Sequence, residues 1–485
     1  MSISGGLSSA LSGLNAAARA AEIVSSNIAN AMTEGYGRRE LQTTARSLGG
    51  SGQGVRVVGV VRRSDPILIG DRRLAQAGSG GRDSTAAFLK RLESVLGTPD
   101  NSTSLGSRVA AFDTALLEAT SRPESEARLS NVLETAKALA AHLASAGVEI
   151  QATRSAADDQ IDDQVAQVNT ALSRIADLNG QIRANFGTSR DSSALMDQRQ
   201  QLIDSVAKII PLREVPRDKG QIALFTTGGA VVLDGLPGEL GFTPVGVVVA
   251  GMTQASGALS GLTLNGKPLS TRAEDGPISG GTLAAAFAVR DDLAPAAQAK
   301  VDAIARDLIE RFADPALDSS RAPGAAGLFT DAGAAFSPAN ETGLAQRLRL
   351  NAAADPAQGG ALWRLRDGLG ATVPGAVGNA QLLKDMQASL LAQRVPASGG
   401  FSNGARSFAI LSADMVSGVA SARVTAEGEA SYASARLDTL RSMELEDGVD
   451  TDQEMQSLML IEQAYAANAK VMTTIDDMIR TLLGM

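Results

Sequence analysis

Several groupings in this 485-residue chain combine residue types that can do chemistry. Gly400-Phe401-Ser402-Asn403-Gly404 spells G-x-S-x-G. That turn exposes a nucleophilic Ser when a strand precedes it, a helix follows it and a His supplies the base. Here Val395–Gly399 reads as loop, and the sole His, His142, falls mid-helix between Ala141 and Leu143. Ser205-Val206-Ala207-Lys208 matches S-x-x-K, but K-T-G and S-D-N are missing and Val206 and Ile209 belong to a helix face. Asp158, Asp159, Asp162 and Asp163 would suit a cation, yet at helical spacing such carboxylates repel, and the cluster reads as a solvated face. The acidic stretch Glu446–Glu454 lacks the Gly of a calcium loop, and Asp450 and Thr451 suit a helix start instead. No phosphate-binding G-x-x-x-x-G-K-[ST] occurs and no dinucleotide fingerprint follows a strand. We therefore expect no catalytic, cofactor-binding or metal-binding residues.

Composition narrows the classes further. The chain has no Cys, one His and one Trp, with aromatics at 3% and a formal charge of −9. Thiolate metal sites, disulfide scaffolds and sites needing two His are excluded. An acidic, aromatic-poor chain lacks the basic face and stacking rings of a nucleic-acid binder. No run approaches the ~20 apolar residues of a membrane span, so membrane insertion is not expected. Nothing basic precedes Ile3–Leu14, and Arg19 and Glu22 interrupt the apolar pattern, so the start does not read as a secretory signal peptide. Taken alone this points to the cytoplasm, whereas the lack of Cys also fits export without disulfides.

The elements that organise the chain begin at its two ends. Leu7, Leu11, Leu14, Ala18, Ala21, Ser25, Ile28 and Met32 alternate spacings of four and three. Leu458, Ile461, Tyr465, Asn468, Met472, Ile475, Ile479 and Leu482 do the same in the opposite phase. Both are heptad seams, the pattern with which helices pack knobs into holes. An ordinary amphipathic helix on a globular core is the alternative for either stripe, but matched stripes at both termini favour pairing. Thr451 and Glu454 read as a capping box for the second helix, and Asn468 would set register at some cost in stability.

Between the ends, Thr33–Arg39 reads as a turn, and Val55–Val61 as a β-rich run. Asp83–Leu96, stopped by Gly97 and Pro99, and Ser104–Thr120 read as helices. Glu126–Asn185 is an almost unbroken helical pattern, roughly 90 Å long at 1.5 Å per residue, which Gly147 would divide. Ser193–Ile210 follows as a helix ended by Pro211. From Pro211 to Gly281 strands and turns take over, with the hairpin signal Asn265-Gly266 between Leu262–Leu264 and Lys267. Helices resume at Leu283–Ala313, about Ala380–Gln393 and Ala405–Met443.

The predicted fold is mainly α with a β-rich insertion, discontinuous and nested. Residues 1–75 with 446–485 form a terminal coiled-coil layer with its linker strands, 76–210 with 282–445 a helical bundle, and 211–281 an outer β-rich domain.

Several segments carry a family resemblance. Leu14–Ala17, Ser26–Asn30 and Thr33–Arg38, with Asn27, Asn30, Thr33, Gly35, Tyr36 and Arg38 as the motif residues, resemble the N-terminal signature of bacterial flagellar axial proteins. Gly54–Val57 through Leu68 is similar to the strand segment that follows that signature. Leu195–Ile203, the helix before it (Val165–Asn169 and Ile175–Asn179), Gly280–Asp291 and Gly448–Tyr465 are similar to the hook-associated protein 1 family. Ala31-Met32 departs from it, where a polar Asn is usual, and the outer domain is modest.

The resemblance implies a structural subunit at the hook–filament junction, exported through the flagellar type III apparatus without a cleaved signal peptide. Implied partners are copies of itself, hook protein, hook-associated protein 3 and an export chaperone. The two terminal seams would pair with each other and with neighbouring subunits, and Tyr36 with Arg38 and Arg39 would touch adjacent subunits or shape the local turn. The alternatives are a rod or hook subunit and a cytoplasmic helical scaffold.

Overall fold

A computed structural model describes residues 3–33, 35–48, 51–98, 100–187, 191–271 and 276–484. Glu34 of the predicted turn and the helix-stopping Pro99 lie outside the described residues. The chain opens with α1 (Ile3–Asn30) and a long antiparallel ribbon, β1 (Arg38–Leu48) and β2 (Ser51–Arg63). The second strand was legible from its valines. The first, Arg-Arg-Glu-Leu-Gln-Thr-Thr, has no alternation of apolar and polar residues, and its pairing with β2 alone makes it a strand.

α2 (Pro66–Leu96) begins well before the predicted Asp83. The Asp65 carboxylate caps the N–H groups of Ile67 and Leu68, and Pro66 occupies the first turn. Its internal glycines do not break it, and at Gly81 another backbone takes the space: a Cβ there would stand 3.1 Å from the Gly281 carbonyl oxygen. α3 (Leu105–Ser121) leads to α4 (Glu126–Asn185), which is one helix of 60 residues. Gly147 does not divide it; a Cβ there would stand 2.8 Å from Cγ of Gln346. α5 (Ser193–Ile209) ends ahead of Pro211.

The β-rich segment holds β3 (Leu212–Pro216), β4 (Ile222–Thr226), β5 (Val231–Asp234) and β6 (Leu236–Pro237) in one antiparallel sheet. β7 (Leu240–Gly241), β8 (Leu262–Leu264) and β9 (Lys267–Leu269) form a second. Asn265 and Gly266 both take positive φ in the tight β8–β9 turn, as the Asn-Gly signal predicts. α6 (Gly281–Ala288), a π-helical turn at Val289–Leu293 and α7 (Ala294–Ala313) follow. The less regular stretch carries β10 (Phe329–Asp331), α8 (Leu344–Arg347), β11 (Leu348–Leu350) and α9 (Arg364–Asp367). α10 (Gln381–Leu391), α11 (Phe408–Glu446) and α12 (Thr451–Leu483) complete the chain. The fold is thus mainly helical with small sheets.

Two apolar cores share α4. One gathers α3, the first half of α4, α7, α10 and the start of α11 around the rings of Phe112, Phe312 and Phe329, whose centroids lie 5.1–5.8 Å apart. The other joins Ile161–Ile175 of α4 to Ile203 and Val206 of α5, to Leu224 and Leu233 of the β-rich segment and to Phe287 of α6. The strands therefore bury their apolar faces against α4 and α5, not in a core of their own. Neither core contains a residue of α1, β1, β2 or α12.

The acidic cluster departs from its sequence reading. Asp158 is fully buried: Oδ1 meets Arg290 Nη1 at 2.6 Å, and Oδ2 accepts the Val245 N–H at 2.7 Å. Arg290 sits, fully buried, in the π turn between α6 and α7. Arg154, one turn before Asp158, donates to the carbonyls of Arg290, Val249 and Met252. Asp159 and Asp163 remain at the surface. Sequence spacing alone could not reveal an Arg arriving from 132 positions away.

Candidate assembly site: the paired terminal helices and their joint

α1 and α12 run antiparallel along each other. A Cβ on Gly6 would stand 3.2 Å from Ile475 Cδ1, and one on Gly13 would stand 2.7 Å from Asn468 Oδ1. Farther along, Ala17, Ala18 and Ala21 face Leu458, Ile461 and Tyr465 across a groove of about 320 Å³. The most buried positions of α1 are Ala10, Ala17, Val24 and Asn27. With Gly6, Gly13 and Ala20 they form a heptad stripe shifted by one residue from the Leu7–Met32 stripe. Small residues win this face because they let two backbones approach closely.

The Leu7–Met32 residues are distributed accordingly. Leu7 and Leu11 are exposed, Leu11 at 50%; Leu14, Ala21 and Ile28 are half-buried and Ala18 lies exposed at the groove. Met32 sits beyond the helix end and is 89% exposed. On α12, Ile475 is buried, Leu458, Ile461, Asn468, Met472 and Ile479 are half-buried, and Tyr465 and Leu482 are exposed. Met455, Met459, Leu460, Val471 and Met478 add further exposed apolar surface. The predicted capping box does not form. The Asp450 carboxylate caps α12 through the N–H groups of Asp452 and Gln453, while Glu454 is buried, its Oε1 2.7 Å from Arg38 Nε.

The motif residues build the joint between this helix pair and the body. Asn27 reads the Arg39 backbone on both sides: Nδ2 donates to its carbonyl at 2.9 Å, and Oδ1 accepts its N–H at 3.0 Å. Tyr36 Oη donates to the same Oδ1 at 2.9 Å, and the Arg39 guanidinium lies over the Tyr36 ring. Asn30 Nδ2 donates to the Ser26 carbonyl, and Thr33 Oγ1 to Asn30 Oδ1. Tyr36, Arg38 and Arg39 thus have partners within the chain. Gly35 takes φ +79°, and a Cβ there would stand 2.9 Å from Gln201 Cγ. A Cβ on Gly37 would collide with the Arg62 guanidinium.

Sequence reasoning missed the body side of this joint. Asp197 Oδ1 accepts from the Gly37 N–H at 3.1 Å and from Arg62 Nε at 2.7 Å, while Oδ2 accepts from Arg39 Nη2 at 2.9 Å. Arg62 also reaches Gln200 Oε1 and the Gly35 carbonyl. Seven residues on, Asp204 pairs with Arg72 at 2.9 Å and Arg73 at 2.5 Å. Arg73 continues to Glu214, and Arg72 to Glu444 of α11. The available signal was the spacing of Asp197 and Asp204 on one face of α5, opposite an Arg-rich ribbon end. Among the described residues, no helix is long and apolar enough to cross a membrane, and no group of His, Asp and Glu is placed to hold a metal ion.

Three stretches of the chain, the two that form the helix pair and its joint and one in the helical body, match models of flagellar protein families. Residues 7–36 match the family model for flagella basal body rod protein, and residues 446–485 that for the flagellar basal body rod FlgEFG protein C-terminal. Residues 89–317 match the flagellar hook-associated protein FlgK helical domain. Within that class, the chain is recognisably similar to flagellar hook-associated protein 1. It is 30% identical to that protein of Salmonella typhimurium over 233 residues, covering 47% of this chain and 42% of the relative. It is 27% identical to those of Escherichia coli and Bacillus subtilis, covering 47% of this chain each time and 43% and 47% of the relatives. The chain thus spans under half the length of the curated relatives it matches. A solved structure, the flagellar hook junction protein FlgK from Burkholderia pseudomallei, is similar at TM-score 0.44 and 20% identity, covering 54% of this chain and 46% of that one. None of these descriptions is that of an enzyme.

Proposed function

We propose that this chain is a structural subunit of the bacterial flagellum that joins hook to filament. The observation that carries this reading is the terminal helix pair, which closes on itself through glycine and alanine and leaves a second apolar surface open. Leu7, Leu11, Leu460, Val471, Met478 and Leu482 are left 37–66% exposed. An exposed apolar surface of this kind marks an interaction site. Neighbouring copies cover it, with Leu14, Ala18, Ala21 and Ile28 on α1, Met32 just past its end, and Leu458 to Leu482 on α12 at or beside the contact.

The polymerising unit is 1–75 with 446–485, the helical body is 76–210 with 282–445, and 211–281 faces outward. Hook protein and hook-associated protein 3 are the neighbours on either side. An export chaperone and the type III apparatus deliver the chain to the outside of the cell, and a chain without Cys needs no disulfide to refold there.

Deleting 2–31 or 455–485 tests the reading. The middle is expected to fold, and cells are expected to keep hooks but shed unpolymerised filament protein. Firm filament attachment in either deletion would refute the terminal-helix mechanism. A rod or hook subunit is the second reading, favoured by the matches at both ends to rod-protein models. Electron micrographs of a null strain separate the two, because loss of a rod or hook subunit removes the hook itself.

A further inference from the structure

We propose that Asp197 is a positioning residue: it fixes the direction in which the terminal helix pair leaves the body, before any neighbour binds. This rests on the reading of that pair as the polymerising unit, but its geometry is a property of the single chain.

Three observations carry it. First, the apolar cores stop short of the joint, since none of their residues comes from α1, β1, β2 or α12. The direction of the pair is therefore set by polar contacts, which are geometrically selective, and not by an apolar interface. Second, one carboxylate collects donors from both sides of the ribbon base. The Gly37 N–H comes from the turn after α1, Arg39 from β1 and Arg62 from β2. All three end on a carboxylate and two are ion pairs, and the Asp197 side chain is 12% exposed, so solvent competes weakly for them. Third, the turn is shaped to permit this approach. Side chains at positions 35 and 37 would strike Gln201 and Arg62.

Asp204 forms a second rung on the same face of α5, two turns away, and holds the start of α2 through Arg72 and Arg73. The two rungs divide the work. Asp204 ties α2 and, through Arg72, the end of α11 to the body, whereas Asp197, with Gln200 beside it on Arg62, meets the ribbon and the turn that carries α1. Removing Asp197 is expected to free the angle of the helix pair while leaving its attachment intact.

The test uses the full chain with spin labels on Ser173→Cys of α4 and Ala466→Cys of α12, the only thiols present. Both positions are exposed. Pulsed electron paramagnetic resonance is expected to give one narrow distance distribution with Asp197 in place. Asp197→Asn and Arg62→Met should each broaden it at least twofold, and the double variant should broaden it little beyond either single one, since both remove the same bond. The urea midpoint and hydrogen-exchange protection of α4 should stay unchanged. An unaltered distribution in both single variants overturns the proposal. So does broadening matched by lost protection in α4, which would make Asp197 a folding residue only. Neither result bears on the deletion experiment, so failure of the joint and failure of the junction reading are told apart.

Discussion

Gly13 and Asn468 occupy one shared space between the two ends of the chain. The Asn468 amide fills the volume that a side chain at position 13 would need, while its Nδ2 is satisfied by the Ala464 carbonyl at 2.9 Å. Seven residues away on each helix, in opposite directions, Ile475 fills the corresponding volume beside Gly6. The two contacts define a single antiparallel register, and it continues to the layer of Asn27 and Glu454, where Arg38 closes the pair. A polar residue in a heptad seam commonly fixes register, and here a glycine makes room for it.

That register is open to a covalent test. Asn468 Cγ lies 2.9 Å from where a Cβ of residue 13 would stand, so Gly13→Cys with Asn468→Cys is expected to close a disulfide on mild oxidation. Bridged Cβ atoms stand roughly 3.5–4.5 Å apart. Gly13→Val should instead force the helices apart at a cost of about 1–3 kcal/mol, seen as faster hydrogen exchange along α12.

Asp158 and Arg290 hold the β-rich segment to α4 from inside. Asp158→Ala leaves part of the Arg290 charge without its buried partner and takes the acceptor from the Val245 N–H. Breaking such a pair costs about 3–5 kcal/mol, toward the lower end here because Asp291 still holds Arg290 at 2.9 Å. A lower urea midpoint is the expected result. Asp159→Ala, one residue away and exposed, should shift stability by no more than about 0.5 kcal/mol.

Asp302 gives the body a pH dependence of the less common sign. Burial pushes its carboxyl up to about 6, against the N–H groups of Ala345 and Gly343 and the Gln298 amide, which favour the charged form. Its folded value lies above its unfolded one, so folding takes up a proton. The stabilisation from this group is full below about pH 4 and is lost as pH rises through about 6. Compared with Asp302→Asn, the natural chain should gain stability on acidification from pH 7 to 4, by up to about 1.4 kcal/mol per pH unit. Chemical denaturation of both proteins across that range checks the sign.

His142 should titrate below its ordinary value. Burial lowers it, the bond from its Nε2 to the Leu96 carbonyl at 3.2 Å opposes that, and Arg108 adds to the lowering. With the folded value depressed, its contribution to stability is present above about pH 6.5 and is lost as pH falls through the folded value. As the chain has one His, a single imidazole resonance reports it, and a midpoint at or above 6.5 would contradict the burial argument.

Periodicity determined the elements. The helical run of α4 (though not its continuity through Gly147), the Asn265-Gly266 turn and heptads at both ends were legible because each depends on residues close in sequence. The frame of the N-terminal heptad was not. Leu7, Leu11 and Leu14 are the greasier stripe, yet the chain pairs through Gly6, Ala10, Gly13 and Ala17, because only small residues allow the close approach that fits Asn468 and Ile475. Hydrophobicity says which stripe avoids water, but not which of two partners covers it.

The charges followed the same division. Sequence alone marked Tyr36, Arg38 and Arg39 as special without saying what they meet, and it read Asp158 as solvated. Only the tertiary structure placed Glu454 against Arg38, Asp197 against Arg39 and Arg62, and Arg290 against Asp158. An ion pair leaves no periodic trace when its partners lie more than a hundred residues apart, since its distance is set by how helices pack.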